Sequence, residues 1–183
     1  MTDTNKDFET EIALCRDMYE KKARDYGTSW RILRLPSLTD QIFIKANRIR
    51  SIQESGENRV GDGTRPELVA IVNYAVMARI QQELGPDGEM DLPIEKALAL
   101  YDKHIHRATT LMLDKNHDYG EAWRTMRVSS MVDLILMKLF RIKQIEDNNG
   151  KTLVSEGVEG GYMDIINYSL FCLIRTEPEQ TEN

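Results

Sequence analysis

The sequence has only two cysteines, Cys15 and Cys172, and no Cys-x-x-Cys or Cys/His spacing accompanies them. A zinc module needs such pairs, so none is expected, and both thiols read as reduced residues packed like small hydrophobes. Long apolar runs are missing. Nothing approaches the roughly 20 residues that a membrane helix needs, and the polar, acidic opening Met1–Leu14 lacks the apolar stretch of a secretory signal. The expected compartment is the cytoplasm, with no membrane partner. Clustered positive charge is also missing. Lys and Arg number 24 against 30 Asp and Glu, a net charge of -6. That excludes a dedicated duplex nucleic-acid binder, but not a site for a small phosphorylated ligand, which needs only a few local cations. There is no G-x-S-x-G, no P-loop and no G-x-G-x-x-G, and Gly61-Asp62-Gly63 reads as an ordinary loop. Period-two alternation with hairpin turns is absent as well, which excludes strand-based folds.

What is present is the chain's own repetition. Lys22–Gln53 (KARDYGTSWRILRLPSLTDQIFIKANRIRSIQ) aligns with Lys115–Glu146 (KNHDYGEAWRTMRVSSMVDLILMKLFRIKQIE). About 14 of these roughly 32 positions are identical, where chance gives about two. Asn73-Tyr74 and Asn167-Tyr168 continue the match after a one-residue shift. Two copies are too few for a solenoid. The expectation is an all-α fold of two tandem three-helix units, 7–84 and 92–175, packed with pseudo-twofold symmetry as one bundle-like domain, followed by a disordered tail, 176–183.

Within each unit the first helix runs over about Asp7–Arg24 and Pro93–Asn116, and the third over about Pro66–Leu84 and Glu159–Arg175. Ser37-x-x-Asp40 and Ser130-x-x-Asp133 have the form of capping boxes, which places the start of the second helices at those serines. Ser55-Gly56 and Asn148-Asn149-Gly150 are stop signals. Gly85-Pro86-Asp87-Gly88 is a turn between the units.

The second helix carries the first candidate site. Leu38, Ile42, Ile49 and Ile52 form an apolar stripe, repeated as Met131, Ile135, Ile142 and Ile145. At 100° per residue, Lys45 falls within about 20° of Leu38, and Lys138 takes the same slot in the repeat. Arg48 and Arg141 flank them. A cation on an apolar face is costly unless paired. Candidate partners are Asp62 and Glu67 in the first unit and Glu156, Glu159 and Asp164 in the second. One reading makes these inter-helix salt bridges that fix register. A second makes them a polar pocket in which cations meet phosphate and carboxylates hold Mg²⁺. A third has the lysine stems snorkel to solvent.

The second candidate is aromatic. Asp25-Tyr26-Gly27 and Asp118-Tyr119-Gly120 end the first helices, and Trp30-Arg31 and Trp123-Arg124 follow at identical spacing. The glycine suits the residue after a helix. The aromatic residues either cap the core or stack on a base, with Arg34 and Arg127 near phosphate. His104, His106 and His117 have no metal-ligand spacing and read as surface residues.

The doubled K-x-x-D-Y-G-x-x-W element, the K-x-x-R helix and the late D-x-x-N-Y helix resemble the nucleotide modification associated domain 1 family, over about residues 10–175. More distantly, the three-helix unit is similar to the MazG-like all-α nucleoside triphosphate pyrophosphatases. Those enzymes hold Mg²⁺ with acids on two adjacent helices and cleave between the α and β phosphates. The first resemblance implies a role in nucleotide metabolism or base modification. The second implies that Glu156, Glu159 and Asp164 stand for the metal-binding acids of the later helix, with Lys138 and Arg141 stabilising phosphate charge. In both copies the earlier helix carries Lys and Arg where the pyrophosphatases carry acids. The expected ligand is a nucleotide or another small phosphorylated molecule. The rival expectation is a non-catalytic helical protein that associates with a second copy or another protein.

Overall fold

The computed structural model describes residues 3–56, 63–154 and 157–178. Unit 1 comprises α1 (Thr4–Tyr26), α2 (Leu35–Ser55) and α3 (Thr64–Leu84). Unit 2 comprises α4 (Ile94–Tyr119), α5 (Val128–Asp147) and α6 (Val158–Arg175). A 3-10 turn precedes the middle helix of each unit, at Ser29–Ile32 and Ala122–Thr125, and no strand occurs among the described residues. No helix among these residues is long and apolar enough to cross a membrane. Residues 179–183 of the expected tail lie outside the described residues, and Thr176 closes α6 with its N–H on the Leu173 carbonyl.

Exchange of the two units maps the helix packing onto itself. α2 packs on α3 as α5 does on α6, and α1 meets α6 as α4 meets α3. The like pairs α1–α4, α2–α5 and α3–α6 also touch. A twofold axis produces this reciprocity. Side chains follow the same rule. Arg50 lies 3.5 Å from Asp133, and their repeat equivalents Lys143 and Asp40 lie 3.4 Å apart. Asn73 donates its side-chain amide to the Cys15 carbonyl at 3.0 Å, and Asn167 does so to Ala108 at 2.9 Å. Both cysteines are buried and free, and burial pushes their thiols up to about 12.

The expected capping boxes are not formed. α2 starts at Leu35, and Pro36, whose fixed φ suits a first turn, lies inside it. Ser37 and Ser130 are therefore already helical, donating their N–H groups to the Arg34 and Arg127 carbonyls. Asp40 and Asp133, freed from capping, make the two inter-unit ion pairs.

The position of the lysines also needs correction. The buried residues of α2 are Leu38, Thr39, Ile42, Ala46 and Ile49. At 100° per residue their arc centres about 50° round from Leu38, which puts Lys45 about 70° from the centre. Ala46 and its equivalent Leu139 take the core slot. The lysines flank it, with side chains 32% and 21% exposed.

A polar cluster at Thr39 crosses the interface between units. The Thr39 hydroxyl donates to Glu146 Oε1 at 2.7 Å and lies 2.8 Å from the Tyr162 hydroxyl. Burial raises the Glu146 carboxyl above its ordinary value, against the lowering effect of these hydrogen bonds. A raised carboxyl favours the fold at pH below the unfolded value and loses that contribution as pH rises through the folded one. Glu146→Gln keeps an acceptor for Thr39 and removes the buried charge. Its melting temperature should equal or exceed that of the parent at pH 7, with the gap shrinking towards pH 4. A gap that widens on acidification would sink this account.

Candidate functional site

The paired cations and acids come first. Lys45 Nζ lies 3.6 Å from Glu67 Oε2, and Arg48 Nη1 2.7 Å from Glu67 Oε1, tying α2 to α3. In unit 2 Lys138 Nζ lies 3.0 Å from one oxygen of Asp164, and Lys115 Nζ 2.6 Å from the other, tying α5 and α4 to α6. Arg141 is exposed. Glu159 meets Arg79 at 3.0 Å and Arg107 at 3.3 Å. Glu156 and Asp62 lie outside the described residues. Among those residues, no three His, Cys, Asp or Glu side chains come together as a metal site. Glu159 and Asp164 each face two cations, and this donor set, as described, does not fit a divalent ion. His104, expected on the surface, is buried, with Nε2 3.2 Å from Glu83 Oε2. Burial lowers its basicity.

A larger opening than these clusters offer lies elsewhere among the described residues, between α1, the first 3-10 turn and α3. It is a cavity of about 650 Å³, within the range of small-molecule sites. α1 contributes Leu14, Met18 and Lys22, the turn contributes Trp30 and Ile32, and α3 contributes Ala70, Tyr74 and Met77. Tyr26 stands at the rim, 59% exposed, whereas Trp30 is only 8% exposed and forms part of the wall. Tyr26 and Trp30, singled out from the repeated motif, are thus brought together, on the face of α3 that meets α1 rather than on the face that meets α2.

The local sequence fixes the turn that carries Trp30. α1 ends at Gly27, whose φ of 68° and ψ of -152° suit glycine alone. The inter-unit linker then straps the turn down. Thr28 donates its hydroxyl to the Met90 carbonyl at 2.9 Å and accepts from the Leu92 N–H at 2.9 Å, while its own N–H donates to Asp91 Oδ1 at 3.3 Å. Buried Arg31 donates to Gln81 Oε1 and to the Gly85 and Glu89 carbonyls, and Gln81 returns bonds to the carbonyls of Arg31 and Leu33. At the floor, both ends of the Asn73 amide are engaged. Its amide nitrogen donates to Cys15 and its oxygen accepts from the Tyr101 hydroxyl at 2.7 Å.

Two cations reach the opening. Arg65 is committed to Glu11 at 2.7 Å and to the Leu173 and Thr176 carbonyls. Lys22 is exposed and makes no ion pair or hydrogen bond among the described residues.

Unit 2 has different chemistry at the same place. Ala70 becomes Asp164, which draws in Lys115, the equivalent of Lys22. Met77 becomes Phe171, whose ring stacks on Trp123 at 4.4 Å and 12°. Arg124 lies 4.3 Å from the centre of the same tryptophan ring. Tyr119 is 77% exposed. Reading the helices for buried charge missed Ala70 and Met77. The signal that finds them is the difference between the repeats at these positions.

The model of the nucleotide modification associated domain 1 family matches residues 22–82 and again residues 115–176. No curated protein and no solved structure matches the chain.

Proposed function

Because the chain belongs to the nucleotide modification associated domain 1 family, we propose that it binds a nucleotide through its base in the unit 1 cavity, in the service of nucleotide metabolism or base modification. The supporting observation is the combination of apolar and aromatic walls with one lysine, Lys22, that is unpaired among the described residues and stands at the opening. The base packs among Trp30, Tyr74 and Met77, Tyr26 covers it from the rim, and the Lys22 ammonium meets the phosphate. One cation without a partner among the described residues matches a nucleoside or nucleoside monophosphate better than a triphosphate, whose charge calls for several cations or a metal. The cation–acid pairs along α2 and α5 act as register-fixing bridges in this reading.

The test is thermal stability of the full chain against nucleosides and their mono-, di- and triphosphates, with and without Mg²⁺. A ligand that binds only the native state raises stability by about 2.7 kcal/mol at a hundred times its Kd. A shift with nucleosides and monophosphates, independent of Mg²⁺, is expected. Lys22→Met should lose the advantage of monophosphate over nucleoside and retain the nucleoside response. No shift with any ligand at millimolar concentration would sink the reading. A shift confined to triphosphate with Mg²⁺ would favour the pyrophosphatase-like alternative built on Glu156, Glu159 and Asp164. Lys138→Met separates the two sites further. Without Lys138 the Asp164 carboxylate still keeps Lys115 at 2.6 Å, so this variant should fold and bind as the parent does.

A further inference from the structure

The two units present one architecture in two states of filling. In unit 1 the position facing the cavity on α3 is Met77, an unbranched thioether that moves aside readily. In unit 2 the equivalent residue is Phe171, buried, stacked on Trp123 and edge-on to Phe8 at 5.3 Å. Two turns earlier, Ala70 leaves the gap between α1 and α3 open beside Lys22. Asp164 bridges the equivalent gap to Lys115 at 2.6 Å, with Lys138 on its other oxygen. The ring and the ion pair together supply what a base and its phosphate would bring, a flat apolar group on the tryptophan and an anion on the lysine.

We infer that unit 2 is a self-filled copy of the binding site, with Phe171 and Asp164 as built-in surrogates for the base and anion of the ligand, so that the chain binds one ligand, in unit 1 alone. This rests on the binding reading above and adds its stoichiometry and its determinants. Met77 and Ala70 keep the first site open, and Phe171 and Asp164 close the second. The geometry of the surrogate also defines the ligand class: a single planar ring system bearing one anionic group on the side of Lys22.

The experiment is calorimetric titration of the full chain with adenosine, guanosine, cytidine and thymidine 5′-monophosphates, alongside melting temperatures without ligand. The parent should bind one equivalent. Met77→Phe should weaken binding at least tenfold and raise the melting temperature, because the new ring fills the cavity as Phe171 does in unit 2. Phe171→Met, which installs the residue used by unit 1, should lower the melting temperature and admit a second equivalent, most clearly when combined with Asp164→Ala. Two equivalents on the parent, or unchanged affinity in Met77→Phe, would overturn the inference while leaving nucleotide binding intact. No binding by the parent would remove the binding reading, and the melting temperatures would still decide the ring equivalence. A lower melting temperature for Met77→Phe would show that unit 1 holds no place for a ring.

Discussion

Alanine at Gly27 is expected to destabilise the protein more than alanine at Gly120, although the two glycines end equivalent helices with nearly the same backbone. Gly120 has φ 63° and ψ -157°, against 68° and -152° at Gly27. Both lie in a region that side-chain-bearing residues avoid, at about 1–3 kcal/mol each. Their surroundings differ. A Cβ on Gly120 meets nothing within 4 Å, whereas one on Gly27 falls 2.3 Å from Asp91 Oδ1. Asp91 must then swing away and release the Thr28 N–H, which adds about 1 kcal/mol. For a chain of this size each kcal/mol lowers the melting temperature by about 2–4 °C. Differential calorimetry of the two variants checks the order. Equal losses would mean that the linker gives way freely. The Gly27 variant should also loosen the turn that carries Trp30, and so weaken ligand binding beyond its effect on stability.

Leucine at Asn73 should cost about 2–4 kcal/mol, and leucine at Asn167 no more than about 1 kcal/mol. The two asparagines make the same bond to a carbonyl on the first helix of their unit. Only Asn73 uses its second end, accepting from the fully buried Tyr101 hydroxyl. Where unit 1 meets Tyr101, unit 2 meets Phe8, and the buried Asn167 oxygen has no hydrogen-bond partner among the described residues. Removing Asn73 therefore strands a phenol in the core, whereas removing Asn167 discards a half-satisfied amide. Urea unfolding of both variants measures the difference, and Tyr101→Phe in the Asn73→Leu background should recover part of the loss. Equal values for the two leucine variants would show that the phenol is satisfied in another way.

The repeat made the architecture readable. Trp30 and Trp123 in register, with Asp-Tyr-Gly before them, fixed the count of helices and the places where α1 and α4 stop. Helix starts were less legible. Ser37 and Ser130 have the chemistry of caps, but Leu35-Pro36 lets α2 begin earlier, and the sequence does not say which signal wins. A heptad stripe put Lys45 on the apolar face, whereas the true contact is with α3 and α5 together, and such a wide face turns on Ala46. The cavity was least legible, because it arises from what unit 1 lacks. Ala70 and Met77 are unremarkable residues until set beside Asp164 and Phe171, and only packing shows that the pairs occupy one place.

The reciprocal ion pairs Arg50–Asp133 and Lys143–Asp40 have a consequence for how such a molecule can change. An interface whose helix pairings and whose two charge pairs repeat across a twofold axis also suits two separate copies of one unit. Two such copies would share a single gene, and a phenylalanine that plugged one opening would plug both. Joining the copies through the strap from Gly85 to Pro93 removes that constraint. Each half is then free to take a different substitution. One can be sacrificed to rigidity, with its tryptophan covered by the chain's own ring, while its twin keeps the vacancy.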